Sequence, residues 1–534
     1  MSEIDFIVIS QSEVVNYEEF SKLPKERVEL YKELIFPRMV YFKNGFRSHL
    51  DIINYLRDGI FYADAEYPVR RKLLNIWNLL GVNGVYLANY LSQYNIKTKI
   101  INNFDSDWDL LCSAYKACKK PPLVGISTTF YMSYREVRRI IKKIRNIFPG
   151  VNIAIGGAFT NEQFISKNIQ SFEKPMRKYG VDYVFHAFNS EPDLKDLILK
   201  RKNNLNINEF YNTVYIEDGK YKTTPVRFNS PVLDEAPVLW EQIDIPLNGH
   251  TVQMRTSSGC PFACTFCSYP KTAKTFKVMP CAVVEKHINA LLNIPGIDKI
   301  IFIDDTFNAV KSRFKDMCHM FSKSDFEWFS FLRVQFVDEE TVRLMKESGC
   351  KAVYLGIESA NEVVLKNMNK KATPDQFMRG IKLLKKYDIA SVAAFIIGFP
   401  GETEKSIDNN IEFIETSGID FYTLKEFYYM RHTSVYERRN EFGLSGIGNK
   451  WEHSTMDYMT AYNMKIKMFQ SIKNSVFIDA DTSLWYIAYL FDQGYSIDNI
   501  SRIQKEINSI ILSQYEGIYD HHPSIENLKH LVSI

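Results

Sequence analysis

The sequence predicts an α/β protein in three parts: a doubly wound parallel sheet, a partial (β/α)6 barrel and a mainly helical end. Two observations predict it. Short apolar runs alternate with amphipathic helical stretches over 82–199, and the same alternation returns over 251–427. Between them, Pro231, Pro237 and Pro246 punctuate a stretch that reads as a linker. At 534 residues the chain is too long for one ordinary core, so separate domains are expected. The boundaries read as 1–225, a linker at 226–250, a barrel at 251–435 and a helical domain at 436–534.

In chain order, DFIVIS at 5–10 is a short buried strand. An insertion at about 11–80 follows without simple periodicity; Arg38–Tyr67 has room for one or two helices, and no role is assigned to it. Val85, Leu87, Leu91 and Tyr94 lie near helical spacing. Strands are expected at 97–101, 122–127, 151–157 and 181–186, with helices at Arg135–Ile147 and Pro192–Leu199. In such a sheet ligands bind beyond the carboxyl ends of the strands. Ser127, Thr128 and Thr129 stand at one such end, Gly156 and Gly157 at another. Hydroxyls there can bond a polar ligand, and glycines admit a flat one close to the backbone.

Beyond the linker, strands are expected at 251–256, 299–304, 328–334, 352–358, 392–398 and 421–427. Asp338 reads as a helix cap, and Thr373-Pro374 as a cap and first-turn pair. Ile407, Ile411 and Ile414 mark a third helix. Six strand–helix units fit a partial barrel, whose active site would lie at the carboxyl ends of its strands. Residues 436–534 lose the alternation, and Met456–Asn474 and Ile500–Gln514 read as helices.

The first barrel strand runs into TSSGCPFACTFCSY (256–269), which spaces Cys260, Cys264 and Cys267 as C-x3-C-x2-C. Three of the eight cysteines fall within eight residues, which scattered buried thiols would not do. A structural zinc site takes four ligands, and no fourth Cys or His follows at finger spacing. A [4Fe-4S] cube normally takes four thiolates, so three would leave one iron open to another molecule.

This spacing resembles the signature of the radical S-adenosylmethionine (SAM) superfamily, with Phe266 as the aromatic residue before the last Cys. The resemblance implies that SAM chelates the open iron and is cleaved to a 5′-deoxyadenosyl radical. It further implies SAM contacts from Asp304 and Asp305 to the ammonium, Arg333 to the carboxylate and Glu358 to the ribose. One of the two aspartates is equally suited to cap a helix, and an internal salt bridge is the alternative for Arg333. Gly398 and Pro400, in IGFPGE, resemble the adenine-contacting motif in part; the family's first glycine would fall on Ala394 and its glutamate one residue before Glu402.

The first 225 residues resemble the cobalamin-binding domain that precedes many radical SAM domains, through VGISTTF, IAIGGAFT and GVDYVFHAFNSE. That likeness assigns cobalamin contacts to Ser127, Thr128, Thr129, Gly156, Gly157 and Phe188. Two departures stand out. The family's Gly-Glu-Gly turn reads Ala187-Phe188-Asn189 here, and the Asp-x-His-x-x-Gly motif is absent, so no lower cobalt ligand is named. Across its length the chain looks most like the subfamily typified by the phosphinothricin-type P-methyltransferase. The implied reaction is methyl transfer from SAM through cobalamin to an unactivated carbon or a phosphinate phosphorus. The alternatives are a non-methylating rearrangement or cyclisation, and a non-catalytic cobalamin or iron–sulfur protein.

The bulk numbers agree. Formal charge is +3, too balanced for a general nucleic-acid surface. No apolar run is long enough for a membrane span, and the start lacks the features of a signal peptide. Clustered cysteines in a chain with few others point to a reducing compartment, so the cytoplasm is expected. The expected partners are a small-molecule or peptide substrate and an electron donor such as flavodoxin or ferredoxin.

Overall fold

The structure is a computed structural model, and it describes residues 4–13, 22–24, 35–66, 68–131, 133–167, 170–203, 211–233, 249–479, 483–519 and 523–533. Most of the expected linker, 226–250, lies outside them. Contacts divide the chain into two units: Met1–Val15, Trp77–Asn248 and Thr272–Pro295 form one, and Asn16–Ile76, Gly249–Lys271 and Gly296–Ile534 the other.

The first unit is a seven-stranded sheet. Its strands are β1 (Phe6–Gln11), β2 (Thr98–Asn103), β3 (Leu123–Ser127), β4 (Asn152–Gly156), β5 (Tyr183–Phe185), β6 (Thr213–Glu217) and β7 (Lys220–Thr223). Their order is β2-β1-β3-β4-β5-β6-β7. All six residues of β1 are buried, as a central strand covered on both faces requires. Gly125 on β3 makes room for a ring, because a Cβ there would lie 2.4 Å from Phe6 Cζ. The helix Tyr134–Ile147 turns Val137, Ile140, Ile141 and Ile144 to the core, and Ser133 caps it by accepting from the Arg135 N–H.

The first five strands are parallel, as expected. β6 and β7 are not: they add an antiparallel hairpin. Asp218 and Gly219 both have positive φ, 50° and 70°, the requirement of a tight I′ turn. The order reverses direction at β1, so a crevice opens between the carboxyl ends of β1 and β3.

The second unit holds a seven-stranded parallel sheet in sequential order: β8 (Thr251–Met254), β9 (Lys299–Phe302), β10 (Glu327–Leu332), β11 (Cys350–Glu358), β12 (Ala390–Ile397), β13 (Phe421–Glu426) and β14 (Val476–Phe477). Six were expected; β14 adds two residues beside β13. The caps read from sequence are present: Asp338 accepts from the Thr341 N–H, and Thr373 forms a capping box with Gln376 ahead of Pro374. The helix Ser483–Asp492 reaches the sheet through Trp485, which donates to Gln253 Oε1 at 3.0 Å and sets its ring 5.3 Å from Phe331.

The described part of the insertion up to Ile76 belongs mostly to this unit. It forms a hairpin, Met39–Phe42 with Gly45–Ser48, the helix His49–Asp58 and a short helix at Val69–Lys72. Gln514, on the helix Ile497–Tyr515, bonds both the N–H and the carbonyl of Tyr41 at 2.8 Å. The C-terminal region is helical, with a small antiparallel sheet over Ser445–Ile447, Lys450–His453 and Met456–Asp457. Among the described residues no helix is long and apolar enough to cross a membrane.

Trp328 is fully buried on β10 and donates its indole N–H to the Ser348 carbonyl at 2.9 Å. Trp328→Ala should therefore cost about 3–5 kcal/mol, read as a lowered urea midpoint of the barrel unit.

Candidate active site

The cysteine loop leaves the carboxyl end of β8 and is tied down before its first thiol. Asp304, just beyond β9, is 2% exposed. Its carboxylate accepts from the Thr256 N–H at 2.9 Å, the Thr256 hydroxyl at 2.7 Å and the Ser257 hydroxyl at 2.6 Å, and also from the Ser257 N–H. Burial pushes its pKa up, while those bonds and Arg313 pull it down. Its lone pairs are occupied by the loop, so Asp304 acts on the cysteines rather than facing a ligand.

Asp305 is placed differently. It reaches solvent, yet the surrounding protein desolvates it enough to raise its carboxyl to about 6, with Asp304 adding to the rise. The Tyr269 hydroxyl donates to it and accepts from the Gly259 N–H at 3.2 Å. Asp305 adds to the rise of the Cys260 and Cys267 thiols that burial causes, so its charge lies within electrostatic reach of both.

The loop backbone is pinned from the far side. Thr265 bonds the carbonyls of Met368 and Asn367, and Asn369 Nδ2 bonds the Ala263 carbonyl at 2.8 Å. Gly259, at φ 82°, makes the turn into Cys260. Burial raises the Cys260 thiol and pushes Cys267 up to about 12. Such thiols stay protonated until a metal displaces the proton. Among the described residues no three His, Cys, Asp or Glu side chains converge on a single ion. A cubane does not need such convergence, because its ligand sulfurs bind different iron atoms.

Cys264 is 8% exposed and accepts from Arg333 Nη2 at 2.8 Å. Phe266 is half-buried, with its ring 6.3 Å edge-on from Phe399. Glu358 ends β11 at a positive φ of 67° and pairs with Lys370 at 3.1 Å. Gly356 leaves space for that pair, since a Cβ there would lie 2.7 Å from Glu358 Oε1.

Gly398, at φ 87°, packs beneath Trp451; a Cβ would meet the Trp451 ring at 2.4 Å. Its N–H donates to Glu402 Oε2 at 2.5 Å and its carbonyl lies 3.0 Å from His453 Nε2. Pro400 is held through its carbonyl by Asn367 Nδ2 at 3.0 Å. Glu402 is therefore a buried brace of the Gly398 turn, and burial raises its carboxyl to about 8.

In the first unit, Ser127 Oγ accepts from Asn83 Nδ2 at 2.6 Å and lies 3.0 Å from the Thr129 hydroxyl. The buried Thr128 hydroxyl donates to the Gly156 carbonyl at 2.9 Å and also contacts Thr160. Gly157, at φ 117°, lets the β3 and β4 loops close on each other; a Cβ would fall 3.1 Å from the Thr128 nitrogen. Thr129 is exposed and Phe188 half-buried, so these two present surface at the strand ends. Lys370, Tyr269, Thr256 and Ser257 complete the barrel site and were not singled out from sequence; Thr256, Ser257 and Tyr269 lie inside the cysteine stretch, whereas Lys370 carried no signal.

Residues 254–414 match the model of the Radical SAM superfamily. A Pyrococcus horikoshii protein described as an uncharacterized methyltransferase is 29% identical over 368 residues, covering 67% of this chain and 77% of that one. The solved structure of the radical SAM methyltransferase TsrM from Kitasatospora setae, with tryptophan and a SAM analogue, superposes with a TM-score of 0.57 at 14% identity, covering 98% of each chain. That of the cobalamin-dependent SAM radical enzyme OxsB, with aqua-cobalamin and SAM, gives 0.58 at 14% identity, covering 99% of this chain and 78% of that one. The chain thus carries a radical SAM domain and shares the fold of these cobalamin-dependent enzymes over nearly its whole length.

Two outcomes follow from the bracing carboxylates. Asp304→Ala leaves the Thr256 and Ser257 donors without their acceptor, so iron bound per chain after anaerobic reconstitution should fall severalfold while circular dichroism is unchanged. Glu402 holds its proton more tightly folded, at about 8, than unfolded, at 4.5, so its contribution is present below pH 4.5 and lost as pH rises through about 8. Glu402→Gln, neutral at every pH, should flatten the fall in urea midpoint between pH 5 and 9.

Proposed function

We propose that this protein is a cobalamin-dependent radical SAM methyltransferase that moves a methyl group from SAM to an unactivated carbon or a phosphinate phosphorus. The observation that carries the reading is the cysteine loop: three thiols in C-x3-C-x2-C spacing beyond the carboxyl end of a barrel strand, on a loop whose start is held by Asp304. Cys260, Cys264 and Cys267 would hold a [4Fe-4S] cluster. When bound, the cluster, SAM and cobalamin supply radical generation and a methyl carrier.

The chain's own residues bind and orient. Asp305 presents a carboxylate within electrostatic reach of two of the thiols, where an ammonium gains a charge-assisted bond. Glu358 accepts from ribose hydroxyls while Lys370 fixes its angle. Phe266 and Pro400 flank the adenine, and Gly398, its N–H and carbonyl engaged by Glu402 and His453 and its Cα side facing Trp451, shapes the turn that leads to Pro400. Asp304 acts one layer behind, through the loop. Arg333, assigned from sequence to the SAM carboxylate, already holds a cluster ligand. In the first unit Ser127, Thr129 and Phe188 meet cobalamin, and Thr128, Gly156 and Gly157 shape the loops that present them. The acceptor is a small molecule or peptide, and the electron comes from a donor such as flavodoxin or ferredoxin.

Anaerobic purification from cobalamin-fed cells tests the reading. About one cobalt and about four iron per chain are expected, the counts of one corrinoid and one cubane. S-adenosylhomocysteine and 5′-deoxyadenosine should both form with a true acceptor; iron without cobalt would remove the methyl carrier. Asp305 binds the ammonium only when ionised, so SAM affinity should fall as pH drops through about 6. Asp305→Asn should lower it roughly tenfold at pH 8 and abolish that pH dependence, as measured by equilibrium dialysis.

A further inference from the structure

We propose that Arg333 is a positioning residue for the iron–sulfur cluster: its guanidinium donates to the Cys264 sulfur and raises the cluster's reduction potential. The inference rests on the reading of the cysteine loop as a cluster site.

Arg333 is 5% exposed, and its side chain is held from every side. Nη2 donates to Cys264 Sγ at 2.8 Å, Nη1 donates to the Lys370 carbonyl at 3.0 Å, and the guanidinium lies 3.7 Å over the Phe262 ring. Its backbone is fixed as well: Asn308 accepts from the Arg333 N–H at 3.1 Å and donates to its carbonyl at 3.0 Å. A guanidinium so constrained cannot swing to another partner without breaking several contacts. Phe262 is in turn stacked 5.6 Å from Phe336.

The electrostatics point the same way. A buried guanidinium is costly unless an anion faces it. Among the described residues Arg333 forms no ion pair with a carboxylate. What it faces is the cysteine loop, through its bond to Cys264. As a thiolate that sulfur is the missing anion. A cubane with a doubly positive core and three thiolates carries one net negative charge, and one-electron reduction adds a second. A fixed cation bonded to a ligand sulfur therefore favours the reduced form, and hydrogen bonds to cluster sulfurs are a known lever on potential.

The test is a redox titration of the reconstituted full-length chain without SAM, with titanium(III) citrate as the electron source and the reduced cluster read by electron paramagnetic resonance. Arg333→Gln should titrate at more negative potential. At the wild-type midpoint its reduced-to-oxidised ratio should be at least tenfold lower, about 59 mV for one electron. Equal potentials in Arg333→Gln and wild type would overturn the proposal; that result with only a SAM-induced change lost would assign Arg333 to SAM instead. Should Arg333→Gln take up no cluster, Arg333→Lys decides the matter. It keeps the charge but has no forked donor to bond Cys264 and the Lys370 carbonyl together, so its cluster should titrate at more negative potential, and an unchanged potential in that variant also overturns the proposal. A wild-type chain that binds no iron would remove the cluster reading, and this inference with it, which the iron assay shows before any titration.

Discussion

One carboxylate fixes the geometry on which the site depends. Asp304 receives two backbone N–H groups and two hydroxyls from Thr256 and Ser257, so the chain leaving β8 cannot choose its own path to Cys260. A buried carboxylate is costly unless its lone pairs are filled. Here they are filled by the segment that must be held still, so burial and positioning serve the same end. The loop's other flank is held by Thr265, whose hydroxyl donates to the Asn367 carbonyl and whose N–H donates to that of Met368, at the end of the short helix after β11. Three thiols are thereby presented on a scaffold whose parts come from three separate strand–helix units.

The same division runs through the rest of the barrel mouth. Groups that brace are buried and internally paired: Asp304, Glu402 and Asn308. Groups proposed to meet a ligand lie one step outward: Asp305 is exposed, and Glu358 keeps 13% of its side chain accessible. Adjacent Asp304 and Asp305 illustrate how backbone direction separates the roles, since neighbours beyond a strand end turn to different sides. Gly398 shows the converse for backbone: its positive φ and absent Cβ admit Trp451, and the ring then seals the turn that Glu402 braces.

Much of this was legible in the sequence, for local reasons. DFIVIS, PLVGIS and VAAFIIG are apolar runs whose only stable home is a sheet covered on both faces, and each became a strand. The cysteine spacing is local chemistry and needs no fold to be read. What escaped was set by long-range contact. Asp304 meets Thr256 across 48 residues and Arg333 meets Cys264 across 69, and neither pairing leaves a periodicity behind. Lys370 gave no sign of its partnership with Glu358, because Glu358 turns into it through an unusual backbone conformation. The β6–β7 hairpin did carry a signal, Asp218-Gly219, which the expectation of an all-parallel sheet masked.

The central claim is a three-thiolate cluster with one iron left open to SAM. Electron paramagnetic resonance of the reduced, reconstituted chain, recorded before and after adding SAM, tests it most directly. A cubane signal whose g-values shift on SAM binding, and which is absent from the Cys260→Ala/Cys264→Ala/Cys267→Ala variant, is the predicted result. A cubane signal that SAM leaves unchanged, or one that persists without the three cysteines, would contradict the account.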